Sequence, residues 1–273
     1  HQAYEASRLD DSETHKMLSK TYPYTILITE DDDEVRCFLE RELSPHFKTR
    51  TAANGKDALR VLEEEEISLV VSDVMMPEMN GFELCRMIKS QLPFSHIPVI
   101  LLTALTDERQ RIFGITGGAD DYIQKPFHTD YVKIKIIHLL QERQKLRERL
   151  LEKLRDNKLL LSEPEKVESI DDAFLRKFAE QIEAVYADPE YNVEKLSETL
   201  GLSRGHLHRK IKELTGTAPV EFLRTYRLNK ATQLLRQNAY TVSEVAYRTG
   251  FSSPAYFSKC FKAVYGVTPT EYQ

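Results

Sequence analysis

Short apolar and β-branched runs alternate with amphipathic stretches from residue 24 to residue 141. Thr25 to Thr29, Lys48 to Ala52, Ser68 to Ser72, Pro98 to Thr103 and Asp121 to Ile123 have the length and residue types of strands. Between them the apolar positions recur every three or four residues, over Glu34 to Leu43, Gly55 to Glu65, Gly81 to Ser90, Thr106 to Gly117 and from Thr129 onward, as in helices with one buried face. This alternation predicts a parallel sheet covered on both sides, a doubly wound (βα)5 domain of the α/β class.

The last helical pattern does not stop with the sheet. Val132 to Leu161 continues without Pro or Gly, rich in Leu, Lys, Arg and Glu, and reads as a helical linker. Leu139, Leu146, Leu150 and Leu154, spaced by seven and four, suit equally a seam between two copies and a single solvated helix against its own domain. Glu163-Pro164-Glu165 interrupts the pattern, and Ser169 to Asp172 reads as the cap of a new helix. From Phe174 onward the chain is all-α and repeats itself. A shift of 49 aligns Val193, Leu196, Ser197, Gly201 and Leu202 with Val242, Val245, Ala246, Gly250 and Phe251; a shift of 50 then aligns Ser203, Leu207, Ile211, Leu214, Gly216, Pro219 and Glu221 with Ser253, Phe257, Phe261, Val264, Gly266, Pro269 and Glu271. Each copy is a helix, a Gly-containing turn, a Ser cap and a second helix, the helix-turn-helix plan, with Val220 to Arg236 as a connecting helix.

Length and composition fit this division. The 273 residues suffice for two domains, 41% hydrophobic content gives each a core, and no apolar run approaches the ~20 residues of a membrane-spanning helix. Residues 1–23 read as a linker, 24–141 and 174–273 as the two domains, and 142–173 as the helical connection. The start, His1-Gln2-Ala3-Tyr4, has neither initiator Met nor signal-peptide character and reads as a fragment or processed chain. Cys37, Cys85 and Cys260 are scattered in apolar contexts, which fits a reducing cytoplasm better than a disulfide framework or a zinc site. The net charge of −5 hides a split: Tyr24 to Gln141 holds 13 basic and 20 acidic residues, Val193 to Gln273 holds 12 and 6. An acidic module able to hold a divalent cation is joined to a basic one suited to a polyanion.

Ligands of a doubly wound sheet bind outside the carboxyl ends of its strands. Here the first strand ends in Glu30-Asp31, the third at Asp73, the fourth at Thr103, and the fifth leads to Lys125. Three carboxylates are hard oxygen ligands for Mg2+; a metal and an ammonium together can neutralise a transferring phosphoryl group while a carboxylate attacks in line. Glu30-Asp31, Ser72-Asp73-Val74-Met75-Met76-Pro77 with Gly81, Leu102-Thr103-Ala104, and Gly118-Ala119-Asp120-Asp121-Tyr122-Ile123-Gln124-Lys125-Pro126-Phe127 resemble the receiver domain of two-component response regulators, over Tyr24 to about Leu140. The resemblance implies a flavodoxin-like fold, Asp73 as phosphoacceptor, Mg2+ held by Glu30, Asp31, Asp73 and the Met75 carbonyl, Thr103 and Lys125 on the phosphoryl oxygens, and Tyr122 as switch aromatic. The added charge would draw Thr103 inward and make room for Tyr122, with Thr106 to Gly117 and Tyr122 to Leu140 as the output face.

In the first copy of the repeat, Leu207, Ile211 and Leu214 form an apolar stripe, leaving Arg204, His208 and Lys212 on another face with Gly205 and Arg209 beside them. In the second, Phe257, Phe261 and Val264 face inward and Ala255, Tyr256 and Lys259 outward, while Ser253 caps a helix whose amide end can receive a phosphate. His206 and His208, at i and i+2, point to different faces and do not suggest a metal site; His15 and His138 read as surface residues. Leu196-Ser197 through Gly201-Leu202-Ser203, Thr215-Gly216 with Pro219, Gly250-Phe251-Ser252-Ser253 through Tyr256-Phe257, Phe261-Lys262, and the closing Tyr265-Gly266-Val267-Thr268-Pro269 with Glu271-Tyr272 resemble the AraC-family DNA-binding domain, over about Phe174 to Gln273. The resemblance implies two recognition helices in successive major grooves, with Gly205, His208, Arg209, Ala255, Tyr256 and Lys259 facing bases. Arg209 suits guanine, His208 either groove acceptor, and Tyr256 a thymine methyl or a phosphate.

The joint expectation is a phosphorylation-controlled transcription factor: a histidine kinase, on the same or a separate chain, as phosphoryl donor, double-stranded promoter DNA as target, RNA polymerase as a further partner and a homodimer as the phosphorylated form. The order of modules resembles the cytoplasmic end of a hybrid two-component protein. Two alternatives are a receiver working only through protein partners and an Mg2+-dependent phosphohydrolase; the latter should carry a second acidic group two residues after its nucleophile, where Met75 stands.

Overall fold

The computed structural model describes residues 16–104, 118–155 and 169–273, which divide into two compact units between Lys145 and Leu146. In the first, strands β1 (Thr25–Thr29), β2 (Lys48–Ala52), β3 (Leu69–Asp73), β4 (Val99–Thr103) and β5 (Asp121–Gln124) form one parallel sheet in the order β2-β1-β3-β4-β5. Helices α1 (Asp33–Leu43), α2 (Gly55–Glu64), α3 (Gly81–Ser90) and α4 (Thr129–Arg155) accompany them. Because side chains alternate along a strand, Ile26, Ile28, Leu69, Val71, Ile100 and Leu102 share one face with Leu39 and Leu43 of α1 and Val132 and Ile136 of α4. Leu27, Val70, Val99 and Leu101 share the other with Ala58 and Leu62 of α2 and Leu84 and Ile88 of α3. Burial on both faces explains why β1, β3 and β4 read as nearly continuous apolar runs. The strand order reverses beside β1 and β3, so a crevice opens at their carboxyl ends.

Asp73 is the last residue of β3, paired with Leu102, and the ladder continues through the Val74 amide to the Leu102 carbonyl at 3.1 Å. The helical pattern at Thr106 to Gly117 and the linker beyond Arg155 lie outside the described residues. On α4, Leu139 packs against the sheet layer and Leu146 is exposed; the side chains of Leu150 and Leu154 lie outside the described residues. Among the described residues no helix is long and apolar enough to cross a membrane. All three cysteines are free; Cys85 and Cys260 are buried, but Cys37 is exposed, against the expectation of an apolar setting.

The second unit contains α5 (Ile170–Val185), α6 (Val193–Leu200), α7 (Arg204–Thr215), α8 (Pro219–Arg236), α9 (Val242–Arg248), α10 (Pro254–Tyr265) and α11 (Pro269–Tyr272). Ser169 caps α5 in a reciprocal box with Asp172. Helix α8 belongs to both lobes. Its Phe222 meets Phe178 of α5 edge-on at 4.7 Å, while Leu228, Ala231 and Leu235 join Val245, Ala246, Phe251, Phe257 and Phe261 in the second core. Two inward positions differ from the sequence reading. On α7 the buried residues are Leu207, Lys210, Ile211 and Thr215, with Leu214 only half-buried, because steps of four carry the stripe from Leu207 through Ile211 to Thr215, whose hydroxyl bonds the Ile211 carbonyl at 2.7 Å. On α10, Val264 is 50% exposed; Cys260 takes an inward place, and Tyr265 closes the end of the core with its ring 4.6 Å from Phe261.

Candidate functional site

The turn after β1 and the end of β3 bring Glu30, Asp31 and Asp73 together, with one carboxylate oxygen of each within 4.8 Å of the others. Glu30 and Asp73 are 3% and 6% exposed, and Asp31 is open to solvent. Lys125, delivered by β5, bridges the two buried acids, its Nζ 2.5 Å from Asp73 Oδ1 and 3.0 Å from Glu30 Oε2. The other Asp73 oxygen accepts the Met75 amide at 2.8 Å, so the carboxylate is held at both ends, while the Met75 side chain is exposed. Thr103 ends β4 half-buried, and its carbonyl accepts the Lys125 amide at 2.7 Å, tying the hydroxyl-bearing residue to the lysine.

Three carboxylates against one ammonium leave the pocket negative. Burial pushes the Glu30 carboxyl above its usual range, against a hydrogen bond from Lys125, and Asp73 adds to the rise. Burial alone would pull the Lys125 ammonium down; its bonds to Asp73 and Glu30 outweigh that and hold it above its usual value. The donor set fits a hard divalent cation: oxygen ligands only, excess negative charge, and an exposed Asp31 side where bound waters can remain. Tyr122 is half-buried against the layer containing Leu84 and Cys85, and burial pushes its phenol up to about 12, with Cys85 contributing.

Several residues that shape the pocket carried no role in the sequence reading. Arg36 donates to the Glu30 carbonyl at 2.7 Å and so fixes the β1–α1 turn. Gly81 opens α3 against the end of β3, where a Cβ would overlap the Asp73 carbonyl oxygen. Asp120 anchors the start of β5 by accepting the Val99 amide at 2.8 Å and pairing with Lys89 at 2.6 Å and Arg143 at 3.3 Å. The adjacent acids Asp120-Asp121 marked the place in sequence, but their basic partners come from distant helices.

In the second unit, Arg204, Gly205, His208 and Lys212 are exposed along α7 and Arg209 is half-buried. Arg204 pairs with Glu194 of α6 at 2.7 Å, and a Cβ added at Gly205 would meet nothing within 4 Å. On α10, Ala255, Tyr256 and Lys259 are exposed, and Ser253 caps the helix through the Tyr256 amide at 3.3 Å. Lys210, embedded in the basic run, is fully buried, paired with Asp171 at 2.5 Å and 5.1 Å from the Phe174 ring centroid. Among the described residues Glu30, Asp31 and Asp73 form the one acidic or His/Cys group close enough to share a metal ion.

Residues 26–137 match the family of response regulator receiver domains, and residues 196–273 match a helix-turn-helix domain family. Histidine kinase P4 of Formosa agariphila is 37% identical over 97% of this chain and 19% of its own length. The transcriptional regulatory protein GltR of Pseudomonas aeruginosa is 43% identical over 44% of this chain and 50% of its own. The solved receiver domain of a signal transduction histidine kinase from Syntrophus aciditrophicus is 38% identical over 44% of this chain and 91% of its own, with a TM-score of 0.42. The chain thus spans about a fifth to a half of the length of the curated relatives it matches. It carries a response regulator receiver domain followed by an AraC-type helix-turn-helix domain. That pairing fits a response regulator transcription factor.

Proposed function

We propose that the chain is a phosphorylation-controlled, sequence-specific transcription factor, with Asp73 accepting a phosphoryl group from a histidine kinase and α7 and α10 reading promoter DNA. The observation that carries this reading is the placement of Lys125 across Asp73 and Glu30 in a pocket of three carboxylates, on the same chain as two basic helix-turn-helix lobes. An Asp73 oxygen attacks phosphorus as the bond from phosphorus to the donor imidazole nitrogen breaks, and the electron pair leaves with the imidazole. Lys125 transfers its hydrogen bond from the carboxylate to a phosphoryl oxygen, and the Thr103 hydroxyl donates to another. Mg2+ held by Glu30, Asp31, Asp73 and the Met75 carbonyl supplies the positive charge that one ammonium lacks against the incoming phosphoryl group. The movement of Thr103 admits Tyr122 inward and alters the face formed by β5 and α4, where a second copy docks. A coupling of about 1 to 3 kcal/mol is enough to shift such an equilibrium severalfold or more.

Arg209 and His208, then Tyr256 and Lys259, contact base edges; Arg204, Lys212 and the Ser253-capped amide end contact phosphates; Gly205 and Ala255 let the helices approach closely. RNA polymerase is the partner of the DNA-bound form. The long alignment with a relative named histidine kinase supports a kinase as donor, on this polypeptide or another. Binding to a randomised duplex pool, with and without Mg2+ and a small phosphoryl donor, tests the reading in the intact chain and in Asp73→Ala. The expected result is a motif of two half-sites about ten base pairs apart, bound more tightly after phosphorylation only when Asp73 is present. Binding indifferent to Asp73 would overturn the switch, and no specific binding would overturn the DNA reading.

A further inference from the structure

The two helix-turn-helix copies use equivalent glycines differently. Gly201 and Gly250 align in the repeat, and both have left-handed backbone, with φ of 69° and 78°. A Cβ at Gly201 would meet nothing within 4 Å, whereas at Gly250 it would overlap the Tyr186 carbonyl oxygen and lie 2.8 Å from Arg227 Nε. Tyr186 is the C-cap of α5, in the first lobe, and Gly250 closes the α9–α10 turn of the second. A single helix-turn-helix needs a glycine at this turn for its φ alone, so the close approach at Gly250 serves the joint between lobes.

Arg227, on the shared helix α8, is the other half of that joint. Its Nε donates to the Tyr186 carbonyl at 2.8 Å and its Nη2 to the Asp188 carbonyl at 2.7 Å, meeting acceptors left open at the end of α5. A guanidinium suits both by its planar fork and by its charge at a helix C-terminus. One turn further along α8, Lys230 pairs with Glu183 at 2.8 Å and lies 5.4 Å from the ring centroids of Tyr186 and Tyr226. The end of α5 is thereby gripped by α8 while the turn leading into α10 rests on the same carbonyl and the same guanidinium.

We infer that Arg227 and Gly250 are positioning residues that hold α7 and α10 in fixed relation, and that this joint sets the half-site spacing the chain accepts. The inference rests on the reading of both helices as DNA-contacting. Two linked modules gain from each other only when their geometry allows both to engage at once, and each added base pair moves a half-site by about 3.4 Å and turns it about the duplex axis.

The test uses the full chain and the motif selected by the wild type, presented as duplexes with one half-site, both at the selected spacing, or both with the spacer changed by one or two base pairs. The wild type is expected to bind the correctly spaced duplex about a hundredfold more tightly than either half-site alone, and to lose roughly tenfold or more on a spacer change. Arg227→Lys and Gly250→Ala should bind single half-sites within about twofold of wild type yet vary less than about threefold across spacers, while Gly201→Ala keeps wild-type discrimination. Should Gly250→Ala fail to fold, Arg227→Lys decides. Unchanged spacer discrimination in folded Arg227→Lys would overturn the inference alone. A wild type that selects no two-half-site motif would instead remove the DNA reading beneath it.

Discussion

Lys210 and Lys212 lie two residues apart on one basic helix, and the fold assigns them opposite roles. Lys212 is exposed, whereas the Lys210 side chain is fully buried and pairs with Asp171, itself 22% exposed. Lys210→Ala removes three buried methylenes at about 0.8 kcal/mol each and leaves a cavity. It also breaks the ion pair, though water can reach the Asp171 carboxylate and limit that cost. The total is roughly 3 kcal/mol, which at about 4 °C per kcal/mol for a domain of ~100 residues lowers the melting temperature of the second unit by about 12 °C. Lys210→Met keeps the volume and should cost less than about 1.5 kcal/mol. Neither change should alter the salt dependence of DNA binding below the melting range. Lys212→Ala should do the reverse, leaving stability within about 0.5 kcal/mol and reducing the slope of log affinity against log salt by about 0.9, the share of one phosphate contact. Thermal melts combined with fluorescence anisotropy between 50 and 200 mM salt, roughly the range over which counterion release is read, separate the cases. A Lys210→Ala protein that melts like wild type but loses as much salt slope as Lys212→Ala would refute this argument.

Glu30 has a folded-state pKa above its unfolded value of 4.5, so its contribution to stability is complete below that pH and is lost as pH rises through the folded value. Glu30→Gln should therefore raise the receiver's Tm at pH 7 and leave it unchanged at about pH 3, while abolishing Mg2+-dependent phosphoryl acceptance; a lower Tm at pH 7 would contradict the sign. Gly81→Ala should destabilise the receiver and disturb Asp73, because a Cβ there meets the Asp73 carbonyl. Gly205→Ala, whose Cβ would enter open space, should instead raise the melting temperature of the second unit by up to about 4 °C, the worth of ~1 kcal/mol of helix propensity. Burial pushes the Cys85 thiol up to about 11, so a thiol reagent at pH 8 should modify exposed Cys37 first and reach Cys85 only on unfolding; early loss of the Cys85 thiol would show the α3 face to be open.

The features legible in the chain are those written into neighbouring residues. Strand and helix alternation, the Ser169–Asp172 box and the two aligned helix-turn-helix copies follow from spacings of two, three, four and 49 or 50 positions. The pocket was legible as an ordered set of polar strand ends, because a doubly wound sheet brings the carboxyl ends of its central strands together whatever the loops do. That Asp73 is itself paired in the ladder, which runs on to the Val74 amide, needed the fold.

Tertiary structure decided the fate of side chains whose surroundings come from far along the sequence. Lys210 stands between Arg209 and Lys212 in the sequence, yet Asp171, 39 residues away, and Phe174 enclose it. Val264 looked like core, yet it is exposed while Cys260 joins the second core and Tyr265 packs against it. Gly201 and Gly250 align in the repeat, yet only the fold sets one in open space and the other against Tyr186 and Arg227. Backbone preference and periodicity act over one or two helical turns and so can be read locally. Burial, ion pairing and steric fit depend on what packs opposite, which is settled only when distant segments meet.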